Sequence, residues 1–352
     1  MKYQFYIYIT DPTAYNTAAY KAIDDCRDIL SSLGYRDLSF HYHHKSKDLA
    51  AILNLAKGLF RFIRTVKKGS FVAVQYPLLA GNRYFKYLIK LLRLKNVKFF
   101  CIVHDLDAIR YAHVNPNLAG QEIENLNRYD FVIAHNSVMS EWLRDKGLNS
   151  DKIISLEIFD YLIGRKISVS ESKSGENRTI AFAGNLVKSS FIYDLDKIQG
   201  WTFNLYGPNF KEERGRDLGN VNWKGSFSSD EIVEKMEGDF GLIWDGEHIE
   251  EPDPVFGAYL RYNNPHKFSL YLAAGLPVIA PANSAIADII REHKIGLLIN
   301  SLFELPELHI SSGCYSEMTE RVRAIREKII SGKHLTLAVE AVECQLIKSN
   351  RG

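Results

Sequence analysis

Two periods of apolar and polar residues succeed each other along the chain, and the succession itself repeats. Residues 2–10 (KYQFYIYIT), rich in aromatics and Ile, predict a strand; a turn at Asp11 and Pro12 follows, then a helical pattern over about 17–33. The same order continues with strand 37–43, helix 47–65, strand 70–76, helix 82–94, strand 97–103, helix near 119–127, strand 130–134, helix 138–146 and strand 152–158. Apolar strands alternating with helices predict a parallel sheet covered on both faces. Residues 1–163 therefore read as one Rossmann-like domain.

A polar, Ser- and Gly-containing stretch over 164–178 (GRKISVSESKSGENR) interrupts the pattern and reads as a linker or surface loop. Beyond it come strands 179–183, 202–206 and 221–224, helix 230–237, strand 240–244, helix 265–274, strand 277–280, helix 284–291 and strand 296–299. Residues 164–335 thus read as a second Rossmann-like domain. The tail, 316–348, is helical with a break near Gly332, and 336–352 is expected to pack back on the first domain. The expected fold class is α/β, with the two domains facing a cleft.

Composition narrows the function classes. Lys and Arg number 44 against 42 Asp and Glu, so no net field recommends a nucleic-acid partner. The four cysteines, Cys26, Cys101, Cys314 and Cys344, show no C-x-x-C spacing and suggest neither zinc nor a disulfide framework; a reducing cytoplasm fits. The N-terminus lacks the long apolar core of a signal peptide, and no apolar run approaches the ~20 residues of a membrane span. A soluble or peripherally attached protein is expected. Neither domain carries G-x-G-x-x-G after its first strand, and there is no P-loop, which disfavours hydride transfer and ATP hydrolysis of that kind.

The densest local signal is 259–281, YLRYNNPHKFSLYLAAGLPVIAP. Asn264 suits an N-cap, Pro265 the first helical position and Gly275 the left-handed residue that ends the helix. Free backbone N–H groups at such a start, with His266 and Lys267 beside them, make an anion site, read here as a diphosphate cradle. At the end of the second domain's first strand stand Gly184 and Asn185, with Lys188 just beyond, and Tyr206 ends the next strand where its ring could meet a base. In the first domain VHDLD places His104 and Asp105 at a strand's carboxyl end, where either suits a general base. Asp105-Leu106-Asp107 and Asp194-Leu195-Asp196 match the metal-holding D-x-D pattern, but three-residue patterns recur by chance and no metal is expected. The run HYHHK at 41–45 reads as a rim or solvated loop, because adjacent His side chains on a strand point to opposite faces. The segment 83–98 is a basic helical pattern with aromatic and Leu positions, which either covers a sheet or lies against an anionic membrane.

Assembled, these residues resemble the GT-B glycosyltransferases, many of which carry P-x-K-x-x-E-Y-x-A-x-G-x-P-V; here it stands as PHKFSLYLAAGLPV at 265–278. The carboxylate position is Leu270, so the ribose contact and mechanism of the paired-Glu branch do not carry over. Segments such as IVHDLDAIR, VIAHNSVMSEWL, AFAGN and FGLIWDG are similar to bacterial polysaccharide β-1,6-galactofuranosyltransferases and to the glucosyltransferases of serine-rich adhesins. The resemblance implies a UDP-sugar site lined by Gly184, Asn185, Lys188, Tyr206, Asp245, Asn263, Asn264, His266, Lys267 and Ser269, with Thr10, Asn16 and Thr17 on the acceptor side. The resemblance sets His104 and Asp105 facing the acceptor and the reacting centre; the chemistry of the residues makes Asp105, then His104, the expected base in a metal-independent, inverting transfer to a glycan or glycoprotein acceptor. A cytoplasmic homo-oligomer, with peripheral contact to the inner face of the membrane, completes the expectation. A nucleotide-sugar 2-epimerase and a non-catalytic binding subunit are the alternatives.

Overall fold

The computed structural model describes residues 1–9, 18–42, 49–78, 82–164, 178–215, 218–252 and 257–349. The chain divides into two compact units, Met1–Leu156 with His334–Gly352, and Glu157–Lys333. Most of the polar stretch read as a linker, 165–177, lies outside the described residues, as do Thr10, Asn16, Thr17, His43 and His44.

The first unit runs β1 (Lys2–Phe5), β2 (Ile7–Ile9), α1 (Ala18–Ser32), β3 (Arg36–Asp37), β4 (Phe40–Tyr42), α2 (Leu49–Thr65), β5 (Phe71–Tyr76) and α3 (Asn82–Arg93). It continues through β6 (Lys98–Val103), α4 (Asp107–Arg110), α5 (Leu118–Leu126), β7 (Phe131–Ala134), α6 (Ser137–Asp145) and β8 (Ile153–Ser155). Six strands form a parallel sheet in the order β3-β1-β5-β6-β7-β8, and β2 pairs with β4 alone. The single strands expected over 2–10 and 37–43 are thus each two. The division falls where a side chain enters the ladder: Tyr6 N–H donates to Ser39 Oγ (3.0 Å), and Ser39 N–H to Asp37 Oδ1 (2.8 Å). The strand expected over 152–158 stops early because Glu157 turns to a φ of 71°.

One face of this sheet packs on α2 and α3 through an aromatic cluster, with Phe5 4.4 Å from Phe62 and 5.2 Å from Phe85 between ring centroids. The other face carries two buried glutamines whose Nε2 groups donate to α1: Gln4 Nε2 to Arg27 O and Ser31 Oγ, and Gln75 Nε2 to Ile23 O. The last helix, α12, described below, joins this unit: Glu343 accepts from Lys2 Nζ and Tyr35 Oη, both at 2.7 Å.

The second unit runs β9 (Thr179–Ala183), β10 (Thr202–Tyr206), α7 (Glu212–Gly215), β11 (Val221–Gly225), α8 (Ile232–Lys235), β12 (Phe240–Leu242), α9 (His266–Ala273), β13 (Val278–Pro281), α10 (Ala287–His293), β14 (Gly296–Ile299) and α11 (Ser312–Ile330), before α12 (Lys333–Ser349). Its six strands are parallel in the order β11-β10-β9-β12-β13-β14. Arg326 of α11 donates its Nε–H to Ala273 O (2.7 Å), capping the end of α9 from a buried position. Along α12, Leu335, Val339, Val342 and Leu346 are buried at helical spacing, the single apolar stripe expected of a helix covering a domain. Both units are therefore Rossmann-like α/β domains.

Candidate functional site

The second unit's site is built around α9. Its C-terminus closes as a Schellman motif: Leu276 N–H donates to Tyr271 O (2.9 Å), Gly275 N–H to Leu272 O (3.0 Å), and Gly275 has a φ of 82°. Its N-terminus is one residue later than expected. Pro265, with ψ at 136°, is the N-cap, and Phe268 N–H donates to its carbonyl (2.8 Å). Asn264 does not cap the helix; its Nδ2 donates to Glu157 O (2.5 Å) and ties the loop to the unit's first residue.

Lys267, in the first turn, is held from three sides. Its Nζ donates to Asp245 Oδ1 (2.7 Å) and Trp244 O (3.0 Å), and lies 4.8 Å from the centroid of the buried Phe182 ring. Asp245 and Trp244 follow β12, and Phe182 belongs to β9, so the ammonium spans the carboxyl ends of two adjacent strands. Tyr271, one turn on, fixes that pair: its Oη donates to Leu242 O (3.0 Å) and accepts from Ala183 N–H (2.9 Å). The ring lies so close to β12 that a Cβ at Gly241 would sit 2.1 Å from Tyr271 Cγ. Beside Lys267, His266 packs its ring against Tyr161 at 5.2 Å. Asn263 Oδ1 is buried and has no hydrogen-bond partner among the described residues, an acceptor left for a donor group.

The neighbouring loops divide. Asn185 and Lys188 are exposed, and Asn185 Oδ1 accepts from Val187 N–H (3.3 Å) and Asn209 Nδ2 (3.0 Å). Gly184 N–H donates to Tyr206 O (3.0 Å). The glycine that this crossing demands is Gly207: with φ at 140°, a Cβ there would lie 1.8 Å from Gly184 O. One expectation is corrected. Tyr206 offers no ring face, because it is fully buried against Phe227 and its hydroxyl accepts from Glu237 N–H (2.8 Å). Ser269, within α9, is 1% exposed.

In the first unit His104 and Asp105 follow β6. Asp105 is paired with Arg110 of α4, a partner that the sequence reading did not name. His104 Nε2 lies 2.8 Å from Gln75 Oε1; since Gln75 donates through its amide to Ile23 O, its oxygen is the acceptor and His104 carries the proton on Nε2. Burial lowers the His104 pKa to about 4. Next to it His135, 3.0 Å from Val103 O through Nε2, is lowered to about 3 by burial and then by the charge of His104. Both rings are neutral at pH 7. Glu122 of α5 was also not foreseen: its Oε2 accepts from Ala108 N–H (2.7 Å) and its Oε1 from Tyr76 Oη (3.1 Å), so it caps α4 from below. Burial outweighs those bonds and pushes its pKa up to about 7. Among the described residues no group of three or more His, Cys, Asp or Glu is placed to hold a metal ion.

Residues 6–158 match the model of the glucosyltransferase 3-like N-terminal domain and 180–342 that of the C-terminal domain. The chain is 34% identical to the β-1,6-galactofuranosyltransferase WbbI of Escherichia coli K12 over 71% of its length and 72% of that protein's. It is 26% identical to glucosyltransferase 3 of Streptococcus gordonii, covering 91% of this chain and 94% of the relative. Among solved structures the lipopolysaccharide outer core galactosyltransferase WaaB aligns with a TM-score of 0.61 at 15% identity, over 97% of this chain and 99% of that one. The shared fold is that of the GT-B glycosyltransferases.

Proposed function

Since the chain belongs to the glucosyltransferase 3-like family of glycosyltransferases, we propose that it moves a hexose from a UDP-sugar to a hydroxyl of a glycan on an adhesin glycoprotein or polysaccharide precursor. Glucose, N-acetylglucosamine and galactofuranose are the candidate sugars, the first and last named by the relatives. The observation that carries the reading is Lys267, fixed by Asp245, Trp244 O and Phe182 in the first turn of α9. A leaving diphosphate gains charge as the glycosidic bond breaks, and a prepositioned ammonium in the first turn of a helix stabilises that charge without reorganising. Lys188 is a second cation for the same group, and the orphaned Asn263 Oδ1 suits a hydroxyl or N–H donor of the nucleoside.

In the reaction, the acceptor oxygen bonds to the anomeric carbon as the bond to the diphosphate oxygen breaks, with inversion, and the acceptor proton goes to a base. Asp105 is that base in this reading. It is ion-paired with Arg110, whereas His104 bonds Gln75 and binds a proton only near pH 4. The place of action proposed is the cytoplasm, with no metal required.

The experiment is UDP release by the purified protein from UDP-glucose, UDP-N-acetylglucosamine, UDP-galactose and UDP-galactofuranose, each with and without a GlcNAc-bearing acceptor. One donor is expected to give acceptor-stimulated release, reduced roughly 10²–10³-fold in Lys267→Ala. UDP binding by calorimetry with no release from any donor refutes the transferase in favour of an epimerase or a binding subunit.

A further inference from the structure

An ordinary sheet-covering helix buries one stripe and wets the other with polar groups; α3 does not. Phe85, Leu88, Ile89 and Leu92 are buried on the sheet, yet Tyr84, Tyr87 and Leu91, with Leu94 in the turn that follows the helix, are 51, 62, 46 and 84% exposed. Their spacing puts them in one stripe along the outer face. Lys86, Lys90 and Arg93 form a second stripe beside it, and with Arg128 they line a surface depression of about 400 Å³. Arg93 pairs with Asp130 and Arg128 with Glu124, while Lys86 and Lys90 have no ion pair among the described residues. On α2, packed on the same face of the sheet, Ile52, Leu53 and Phe60 are also exposed.

The charge along this stretch is one-sided. From residue 49 to residue 98 the chain carries 11 Lys and Arg and no Asp or Glu, leaving 33 basic against 42 acidic residues elsewhere. A chain of net charge +2 is thus a segment of +11 joined to a remainder of −9.

We propose that the face formed by α2 and α3 docks on an anionic lipid bilayer. Tyr and Leu in a row, flanked by cations on long stems, match the boundary between acyl chains and headgroups, and the Lys86 and Lys90 ammonium groups meet the lipid phosphates. A second copy of the chain is a poor occupant, because it would set one cationic face against another. The attachment is peripheral, as no described helix is long and apolar enough to cross a membrane. It does not depend on the donor-site reading, since binding to vesicles needs no turnover.

The test is co-sedimentation of the full chain with vesicles of phosphatidylcholine alone or with about 40% phosphatidylglycerol, at about 0.05 and 0.5 M salt. Binding is expected only with the anionic vesicles and is weakened by salt. A surface cation is worth about fivefold in partitioning, so Lys86→Gln with Lys90→Gln should lose about 30-fold. Arg323→Gln with Lys328→Gln, exposed on α11, should lose nothing. Leu94→Ser, at the most exposed position of the stripe, provides an independent loss without risk to the core. The proposal is overturned if the parent ignores anionic vesicles, if it binds neutral ones equally, or if the α3 variants bind as the parent does. A dimer by light scattering that Lys86→Gln with Lys90→Gln dissociates, without vesicle binding, would assign the face to a second copy instead.

Discussion

Tyr271→Phe removes one oxygen and tests how the carboxyl ends of β9 and β12 are held. The ladder between these strands is short, with Phe240 opposite Ile180 and Gly241 opposite Ala181. Beyond it the Tyr271 hydroxyl takes over, donating to Leu242 O on one side and accepting Ala183 N–H on the other. The ring is fully buried, so phenylalanine keeps the packing and strands two backbone groups away from water. An unsatisfied buried group costs about 1–3 kcal/mol, which puts the loss near 3 kcal/mol after partial relaxation. For a unit of this size that is a fall in Tm of about 6–12 °C. Tyr206→Phe is the internal control: its hydroxyl meets a single N–H, that of the exposed Glu237, which water can solvate, so it should cost no more than about 1 kcal/mol. Thermal melts of both variants followed by circular dichroism decide the matter. If Tyr271→Phe melts with the parent, or no lower than Tyr206→Phe, the bridging role is refuted.

Two further outcomes follow from buried groups. His104 and His135, with pKa values of about 4 and 3 against an ordinary 6.5, stay neutral in the folded chain while the unfolded chain protonates them, so their contribution is complete above pH 6.5 and is lost as pH falls toward 4. His135→Asn should flatten the dependence of stability on pH in that window by up to about 1.4 kcal/mol per pH unit, read from melts at several pH values; parallel curves would refute it. Gly207→Ala places a methyl group 1.8 Å from Gly184 O at a φ of 140°, and should lower Tm by about 5 °C or more and weaken UDP binding by calorimetry; unchanged values of both would deny the crossing its role.

The site's electrostatics turn on the pairing of Lys267 with Asp245. A free lysine would present a full charge but lose rotamer entropy on binding an anion. Here Asp245, Trp244 O and the Phe182 ring fix the ammonium, with its side chain 16% exposed, at the cost of partial neutralisation by Asp245. A weak monoanion gains little from such a site. A group whose charge grows during reaction gains more, because it draws on the ammonium most when its charge is greatest, and that selectivity is the requirement of a leaving group.

How far the sequence foretold this follows the range of each interaction. The start and stop of α9 were legible to within one residue because Pro265 and Gly275 act on their own backbone. The strand and helix alternation showed both parallel sheets for the same reason: periodicity is local. The split of the first strand at Tyr6 was hidden because it depends on Ser39, and the Asp105 to Arg110 pair because it needs the short turn of α4. Tyr206 was misread on similar grounds. A tyrosine at a strand end is exposed or buried according to what covers it, and the deciding contact, Glu237 N–H, lies in a different segment. Lys267 escaped that difficulty only in part. Its place in the first turn was readable from the helix start, but Asp245 and Phe182, which convert a basic first turn into a fixed charge, come from the loop after β12 and from β9. The chemistry of a site such as this resides in those distant partners, so the motif marks where to look and the fold decides what the charge can do.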